Sequence, residues 1–328
     1  MRAYVFDRAS RRAGLADVDE PAAGPGEVLL AVEACGLCRT DLHVLDGDLR
    51  PRSPSVILGH QVVGRVIAVG AGVGSDWIGR RCGVPWLAQT DGVCRYCTSG
   101  RENLCVEARF TGLDRDGGLA ERMTALAAFC LPLPSDLPAI AVAPLLCAGL
   151  IGWRALRMAG DGERIGLYGF GASAHLLAQV IRWQGRRLFA FTRPGDRDRQ
   201  AYARTLGATW AGGSDQSPPE PLDAAILFAD AGELVPRALA AVAPGGTVVC
   251  AEIHMTDIPS FPYDLLWREK VVRSVANLTR QDGHDVLVLA AKIPLHADAV
   301  PYPLARVDDA IADLRAGRVR GAAVITLA

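Results

Sequence analysis

The stretch RIGLYGFGASAHLLAQVIRWQG, residues 164–185, contains the pattern that decides the fold. It begins with an apolar strand, RIGLY, which runs into a turn with two glycines. Apolar residues then recur at helical spacing, at Leu176, Leu177, Val180 and Ile181. A strand, a Gly-x-Gly-x-x-Ala turn and a helix in this order are typical of a sheet that binds a dinucleotide.

The residues of this turn predict how a cofactor would be bound. Gly169 and Gly171 allow a tight turn and a close approach of the backbone to a pyrophosphate. Ala174 takes the third position, where alanine is a permitted variant. Ala172 opens the helix, whose N-terminus carries partial positive charge. We therefore expect cofactor contacts at Gly169, Gly171 and Ala172.

The alternation of strands and helices continues after this stretch. The order is strand RLFAFT, helix DRQAYARTLG, strand LDAAILFA, helix LVPRALAAVAPGG and strand GTVVCAEI, and the sheet is expected to end near VVRSVA. Such alternation is typical of βαβ units on a parallel sheet. The sequence therefore predicts an α/β protein with a doubly wound parallel-sheet Rossmann domain over residues 149–273.

The remaining residues follow a different pattern. Residues 1–148 contain short β-rich runs, such as EVLLAVEAC and VVGRVIAVGAGV, separated by turns rich in Gly and Pro. This predicts an irregular β-rich domain, a partly open barrel. The tail, residues 274–328, contains a helix, VDDAIADLRAGR, and a strand, GAAVITLA, and we assign it to the same domain.

Composition excludes several classes of partner. A chain of 328 residues with 50% hydrophobic residues can form two cores. Its net charge of −1 gives no electrostatic attraction to nucleic acid or to an anionic membrane. The N-terminal residues lack the apolar region of a signal peptide, and the longest apolar stretch, Ala139 to Trp153, is too short to cross a bilayer. We therefore expect a cytoplasmic protein.

The nine cysteines indicate metal binding rather than disulfides, because the number is odd and no secretion signal is seen. Two segments place a thiolate and an imidazole in sequence: CGLCRTDLH, residues 35–43, and GHQVVGRV, residues 59–66. Both groups are good ligands for zinc. Isolated cysteines are by default small buried hydrophobic residues.

With APLLCAG, residues 143–149, these segments resemble the zinc-dependent alcohol dehydrogenases of the medium-chain dehydrogenase/reductase superfamily. The resemblance extends along essentially the whole chain and implies a GroES-like catalytic domain. It also implies a catalytic zinc held by Cys38, His60 and Cys147, with the fourth position open to water or to the substrate oxygen.

The resemblance assigns further roles within CGLCRTDLH. Asp41 would support His60, Thr40 would pass on the proton of the alcohol, and His43 would be the solvent end of this relay. Arg39 would contact the pyrophosphate of the cofactor. The alternative is that Thr40, Asp41 and His43 only shape a turn.

Two residues depart from the family near a metal. The family has Gly-His-Glu where this chain has Gln61, which keeps an oxygen atom but loses the charge. We expect zinc to stay bound, with a more electrophilic metal and altered ligand exchange. The structural zinc lobe of the family has four cysteines, and here Asp91 takes the first position before Cys94, Cys97 and Cys105. Aspartate can bind zinc, so we expect a second ion, and the alternative is a lobe without metal.

The end of strand RLFAFT bears on the choice of cofactor. An enzyme that uses NAD usually places a carboxylate there, and this chain has Thr192 and Arg193. A guanidinium can bind the 2′-phosphate of NADP, so NADP is favoured. NAD stays open, because Asp196 is close in sequence and Arg193 can instead stack on adenine.

We expect an oxidoreductase that transfers a hydride between NADP(H), or NAD(H), and a small alcohol, aldehyde or ketone. Reduction of a C=C or C=N bond and a non-catalytic nucleotide-binding role are the alternatives. Family members are commonly homodimers or homotetramers. The expected pocket residues are Trp86, Leu87 and Ile151, with Phe110, His254 and Met255 as weaker candidates; core packing is the alternative for Trp86.

Overall fold

The computed structural model describes residues 1–134, 137–293 and 295–327. Its strands, in chain order, are β1 Arg2–Asp7, β2 Arg12–Asp17, β3 Glu27–Leu37, β4 Ser55–Ile57, β5 Gln61–Val69, β6 Arg81–Val84, β7 Leu87–Gln89, β8 Arg109–Phe110, β9 Arg122–Leu126, β10 Leu131–Pro132, β11 Arg164–Tyr168, β12 Arg187–Thr192, β13 Ala208–Gly213, β14 Leu222–Leu227, β15 Val242–Cys250, β16 Val271–Ser274, β17 Ala299–Pro303 and β18 Ala322–Thr326. Its α-helices are α1 Arg39–Asp46, α2 Ala139–Val142, α3 Ala148–Ala159, α4 Ala172–Trp183, α5 Arg197–Thr205, α6 Leu234–Ala241, α7 Arg280–Lys292 and α8 Val307–Arg315.

The chain divides into two compact units. The first unit contains Met1–Cys147, Asn277–Val288 and His296–Ala328. The second unit contains Ala148–Ala276 and Leu289–Leu295.

The second unit is built on a parallel six-stranded sheet with the order β13-β12-β11-β14-β15-β16. Numbered within the unit, this is 3-2-1-4-5-6, the order of a dinucleotide-binding sheet. Strand β11 lies in the middle, where Ile165 and Leu167 are completely buried. Apolar cores cover both faces of the sheet, one including residues of α3 and α4 and the other residues of α6. The predicted doubly wound sheet is confirmed.

The first unit is built on a seven-stranded sheet. Its long strand β3 has β5 along one side. On the other side, β9 pairs with the beginning of β3, from Glu27 to Ala31, and β18 pairs with its end, from Ala34 to Leu37. One strand therefore joins three neighbours, which makes the sheet irregular, as the short runs in the sequence predict.

A buried carboxylate braces distant parts of the first unit. Glu102 is 4% exposed and accepts hydrogen bonds from the backbone N–H of Arg280, at 3.0 Å, and from its Nε, at 3.3 Å. The guanidinium of Arg280 lies 5.1 Å from the ring centre of Phe129. Glu102 thus satisfies one of the unpaired amides at the N-terminus of α7. The segment around Glu102 is therefore fixed to the start of that helix.

Among the residues that the structure describes, no single helix is both long and apolar enough to span a membrane. Ala139–Leu146 and Ala148–Ala159, which are separated by a bend, meet the length and composition criteria only when taken together.

Candidate active site and metal centres

Helix α1 begins at a potential metal ligand. Cys38 is its N-cap, with Sγ 3.4 Å from the backbone N of Thr40. The carboxylate of Asp41 returns the interaction and accepts a hydrogen bond from the Cys38 backbone N–H at 3.0 Å. This reciprocal capping fixes the start of the helix. The motif CRTDLH therefore encodes a helix N-terminus that holds the Cys38 thiol in place.

The structure brings Cys38, His60 and Cys147 together, as the motifs predict. Cys38 Sγ lies 3.3 Å from His60 Nε2 and 4.0 Å from Cys147 Sγ, and the three donor atoms all lie within 4.8 Å of one another. A tetrahedral zinc ion with bonds of about 2.3 Å to sulfur and about 2.0 Å to nitrogen would place two sulfurs roughly 3.8 Å apart and a sulfur and a nitrogen roughly 3.5 Å apart. The donor set therefore fits zinc in both chemistry and spacing.

Asp41 orients the imidazole of this set. His60 is 1% exposed, and its Nδ1 lies 3.3 Å from Asp41 Oδ1. Burial alone would lower the pKa of His60, but the Asp41 carboxylate and Cys38 raise it to about 10. The hydrogen bond from the Cys147 thiol and the proximity of His60 hold the pKa of Cys38 well below its usual range, against its burial. The site thus stabilises positive charge beside a thiolate, as a cation site requires.

Gln61 is buried beside this set. It is 2% exposed, and it pairs with Gly36 across β5 and β3. A Cβ atom on Gly36 would lie 2.7 Å from Gln61 Oε1, so any larger residue at Gly36 would displace the carboxamide. Gln61 Nε2 has no hydrogen-bond partner among the described residues. The negative charge that the family's glutamate would carry here is therefore missing from a buried environment, where a charge has a large electrostatic effect on its neighbours.

The remaining residues predicted for the first unit lie around this set. The rings of Trp86 and His60 meet in a T-shaped contact with centres 4.9 Å apart, and Phe110 packs on Trp86 at 5.3 Å. Leu87 is buried at 1% exposure in β7. Arg39 is exposed and Thr40 half-buried; both lie in the first turn of α1.

His43 has an acidic partner that the sequence motifs do not mark. His43 is buried, and its Nδ1 lies 2.9 Å from Asp48 Oδ2. A single aspartate after a glycine gives no metal or relay spacing in the sequence, so the signal for Asp48 comes only from the fold.

A second donor set lies in the loop on both sides of the Glu102 turn. Its members are Asp91, Cys94, Cys97 and Cys105, and their donor atoms all lie within 4.8 Å of one another. Cys94 Sγ and Cys97 Sγ are 3.6 Å apart. Asp91 Oδ1 accepts the backbone N–H groups of Val93 and Cys94, each at 2.9 Å, and these bonds lower the pKa of Asp91. The carboxylate is thus fixed and ionised, with a second oxygen suited to a metal.

The dinucleotide turn has the geometry that its glycines predict. Gly169 has φ of +84°, and a Cβ atom there would lie 2.6 Å from the carbonyl oxygen of Phe228. Gly171 caps α4 without a side chain, and a Cβ atom on it would meet nothing within 4 Å. Open space therefore lies beside the backbone of Gly171 at the start of the helix. Ala174 is fully buried behind the turn.

The end of β12 presents an arginine rather than the threonine hydroxyl. Thr192 is 2% exposed, and its Oγ1 lies within hydrogen-bonding distance of the carbonyl of Gly212, at 3.3 Å, and of Gln200 Nε2, at 3.1 Å. Arg193 is exposed. The Asp196 carboxylate caps α5 and is paired with Arg199 at 3.3 Å. The nearby carboxylate is therefore already bound to a guanidinium.

The structure also places Ile151 and the other two weaker candidates, Met255 and His254, in the second unit. Ile151 and Met255 pack against the apolar cores of the second unit, on different faces of its sheet. His254 is exposed.

Residues 24–135 match the model of the alcohol dehydrogenase GroES-like domain. The chain is 48% identical over 315 residues to a probable alcohol dehydrogenase, AdhA, of Mycobacterium tuberculosis (strain CDC 1551 / Oshkosh), covering 94% of this chain and 90% of the relative. Its fold is similar to that of acetophenone reductase from Geotrichum candidum in complex with NAD, with a TM-score of 0.90, 27% identity and coverage of 99% and 97% of the two chains. It is also similar to a structure from Sinorhizobium meliloti 1021 bound to NADP, with a TM-score of 0.87, 25% identity and coverage of 99% of both chains.

These similarities extend over nearly the whole chain and agree with the sheet order and the motifs described above. The chain belongs to the zinc-type alcohol dehydrogenase family of medium-chain dehydrogenases, and it is an oxidoreductase.

Proposed function

We propose that the protein is a zinc-dependent dehydrogenase that transfers a hydride between NADP(H) and a small alcohol, aldehyde or ketone. The observation that carries this proposal is the Cys38, His60 and Cys147 set, whose donor atoms are spaced for one tetrahedral ion. When bound, zinc supplies polarisation of the substrate oxygen.

The protein's own residues orient the groups and move the proton. Asp41 holds His60 with Nε2 toward the thiols, through its contact with Nδ1. During alcohol oxidation, the hydroxyl of Thr40 accepts the proton of the substrate, and His43 receives it on the way to solvent. The turn from Gly169 to Ala172 binds the pyrophosphate of the cofactor with backbone N–H groups. Trp86 beside His60 restricts the substrate to small or slender molecules.

Elemental analysis together with a cofactor-oxidation assay tests this proposal. We expect two zinc ions per chain and oxidation of NADPH in the presence of aldehydes, measured on a panel that ranges from short aliphatic to bulky branched compounds. One zinc ion with activity would indicate that the second site is empty. A chain that binds no zinc and oxidises no cofactor with any aldehyde would refute the proposal.

Arg193 is proposed to select NADP. Replacing Arg193 with alanine should lower kcat/KM for NADPH by roughly tenfold and leave that for NADH nearly unchanged, because a charge-assisted hydrogen bond to the 2′-phosphate is lost. Steady-state kinetics with both cofactors measure this. Arg182→Ala is the matched control, because Arg182 lies in the last turn of α4, at the other end of the helix from the phosphate-binding turn. A preference of the parent enzyme for NADH would contradict the assignment.

Gln61 is proposed to keep zinc electrophilic. Gln61→Glu adds a buried negative charge beside the donor set, so we expect zinc to remain bound while kcat falls several-fold, because a bound ion next to that charge would be a weaker Lewis acid. Zinc content and turnover are measured on the same preparation. The uncharged variant Gln61→Met controls for the loss of the carboxamide. If Gln61→Glu changes neither turnover nor metal content, the idea is wrong.

A cytoplasmic homodimer or homotetramer is proposed for the assembly. Edge strand β16 of the second unit has an exposed apolar residue, Val271, and the preceding segment exposes Tyr263 and Trp267. Exposed aromatic residues beside a free strand edge favour pairing with a second copy. Light scattering coupled to gel filtration should give a mass of two or four chains, and a monomer would oppose the assignment.

A further inference from the structure

We infer that Asp48 is a positioning residue that fixes the tautomer and orientation of His43 for proton transfer. The inference rests on the proposed function, because it concerns the same relay. It adds a residue that the family motifs in this sequence do not include.

The contact defines which nitrogen of His43 is protonated. Nδ1 of His43 lies 2.9 Å from Asp48 Oδ2. An ionised carboxylate can only accept hydrogen bonds, so the proton of the neutral ring must lie on Nδ1. Nε2 then carries the lone pair and can accept a proton. The side chain of His43 is 9% exposed and that of Asp48 is 38% exposed, so a largely buried ring lies beside a carboxylate that is open to water.

The backbone, rather than a chance surface encounter, brings the two residues together. Helix α1 ends at Gly47, whose φ of 87° reverses the chain. The carbonyl oxygen of His43 itself accepts the N–H groups of Gly47 and Leu49, both at 3.1 Å. The residues on both sides of Asp48 are therefore tied to the residue that Asp48 contacts.

Neighbouring residues hold this turn from outside. The carboxylate of Asp46 accepts two hydrogen bonds from Arg315, at 2.6 and 3.0 Å, and its carbonyl accepts one from Arg11. Asp46 thus anchors the turn without contributing its carboxylate to His43. The turn therefore contains two carboxylates with separate partners: Asp46 binds Arg315, and Asp48 contacts the ring of His43.

This arrangement matters for the direction of proton flow. During alcohol oxidation, the O–H bond of the donor breaks as an N–H bond forms at Nε2 of His43. The imidazolium, stabilised by the Asp48 carboxylate, then releases that proton to water, and the neutral ring with its Nδ1 proton is restored. In carbonyl reduction the same two steps run in reverse.

Nitrogen-15 spectra of histidine-labelled protein test the pairing without substrate. We expect the neutral form of His43 to be the Nδ1–H tautomer, with its signals assigned by their loss in His43→Gln. Asp48→Ala should shift His43 toward the Nε2–H tautomer that free imidazole prefers. Asp48→Asn is the matched control: its carboxamide oxygen can still accept a hydrogen bond from Nδ1–H, so the tautomer should be unchanged. An unchanged tautomer in Asp48→Ala, or an equal shift in Asp48→Asn, overturns the inference.

A double-mutant cycle tests the role in turnover. Asp48→Ala should lower kcat/KM for alcohol oxidation roughly tenfold in the parent enzyme. In the His43→Gln background, it should cause no further loss, because the residue that it positions is gone. Losses that multiply would mean that Asp48 acts independently of His43, against the inference. If the parent enzyme oxidises no alcohol, the proposed function fails, while the tautomer measurement still decides the pairing.

Discussion

The Cys147→Ala variant is expected to lose the zinc ion of the first site and, with it, at least about a thousandfold of kcat/KM for alcohol oxidation. Two donors, Cys38 and His60, would remain where three are spaced for one ion. In the proposed function the metal would polarise the substrate oxygen, so its loss would remove the largest electrostatic contribution to the reaction. Elemental analysis should show one zinc ion fewer per chain, and steady-state assays measure the rate.

Cys35→Ala is the control for this variant. Cys35 belongs to the same CxxC segment as Cys38, but its side chain is completely buried and lies outside the donor set. We expect full zinc content and near-parent activity, with a small loss of stability from the cavity. If Cys147→Ala keeps zinc and activity, or if Cys35→Ala loses both, the assignment of Cys147 as the ligand is wrong.

The Cys97→Ala variant is expected to lose only the second zinc ion and to unfold at a temperature lower by about 5–10 °C. Burial, together with Asp91 and Cys94 nearby, raises the pKa of Cys97 to about 11 when no cation is present, so a metal is needed to hold these groups together as anions. The zinc ion at Cys38 should remain, which separates a structural loss from a catalytic one.

Thr98→Ala changes the same turn and leaves all four ligand side chains in place. Thr98 is exposed and hydrogen-bonds only the carbonyl of Cys94 among its described contacts, at 3.1 Å. It should shift the unfolding temperature by no more than about 2 °C. If the parent protein binds one zinc ion per chain and Cys97→Ala unfolds at the parent temperature, the lobe around Asp91 holds no structural metal.

Much of the fold could be predicted because its signals are local. The strand, the two-glycine turn and the helix over residues 164–185 are adjacent in sequence, and their order determines the type of sheet. The pairing of β18 with β3 could not be derived in this way. It joins Ala323 to Leu37, and no short-range pattern records a contact over such a distance.

The candidate site also contains residues that local motifs predict and residues that only the fold reveals. The structure brings Cys38, His60 and Cys147 together, and each lies in a motif that could be recognised without coordinates. Asp48 and Glu102 lie outside the recognised motifs, because single carboxylates are common in any sequence. What distinguishes each is a partner supplied by a turn or by a distant helix.

The position of β18 also affects the order in which the protein can assemble during synthesis. Strand β3 emerges from the ribosome early, whereas β18, its neighbour in the sheet, emerges only after the whole parallel sheet of the second unit has been made. The second unit, which is read mostly from one continuous segment, can therefore fold first, although domains commonly fold from the N-terminus onward. Until then the end of β3 has an unpaired edge, open to chaperones or to a second nascent chain.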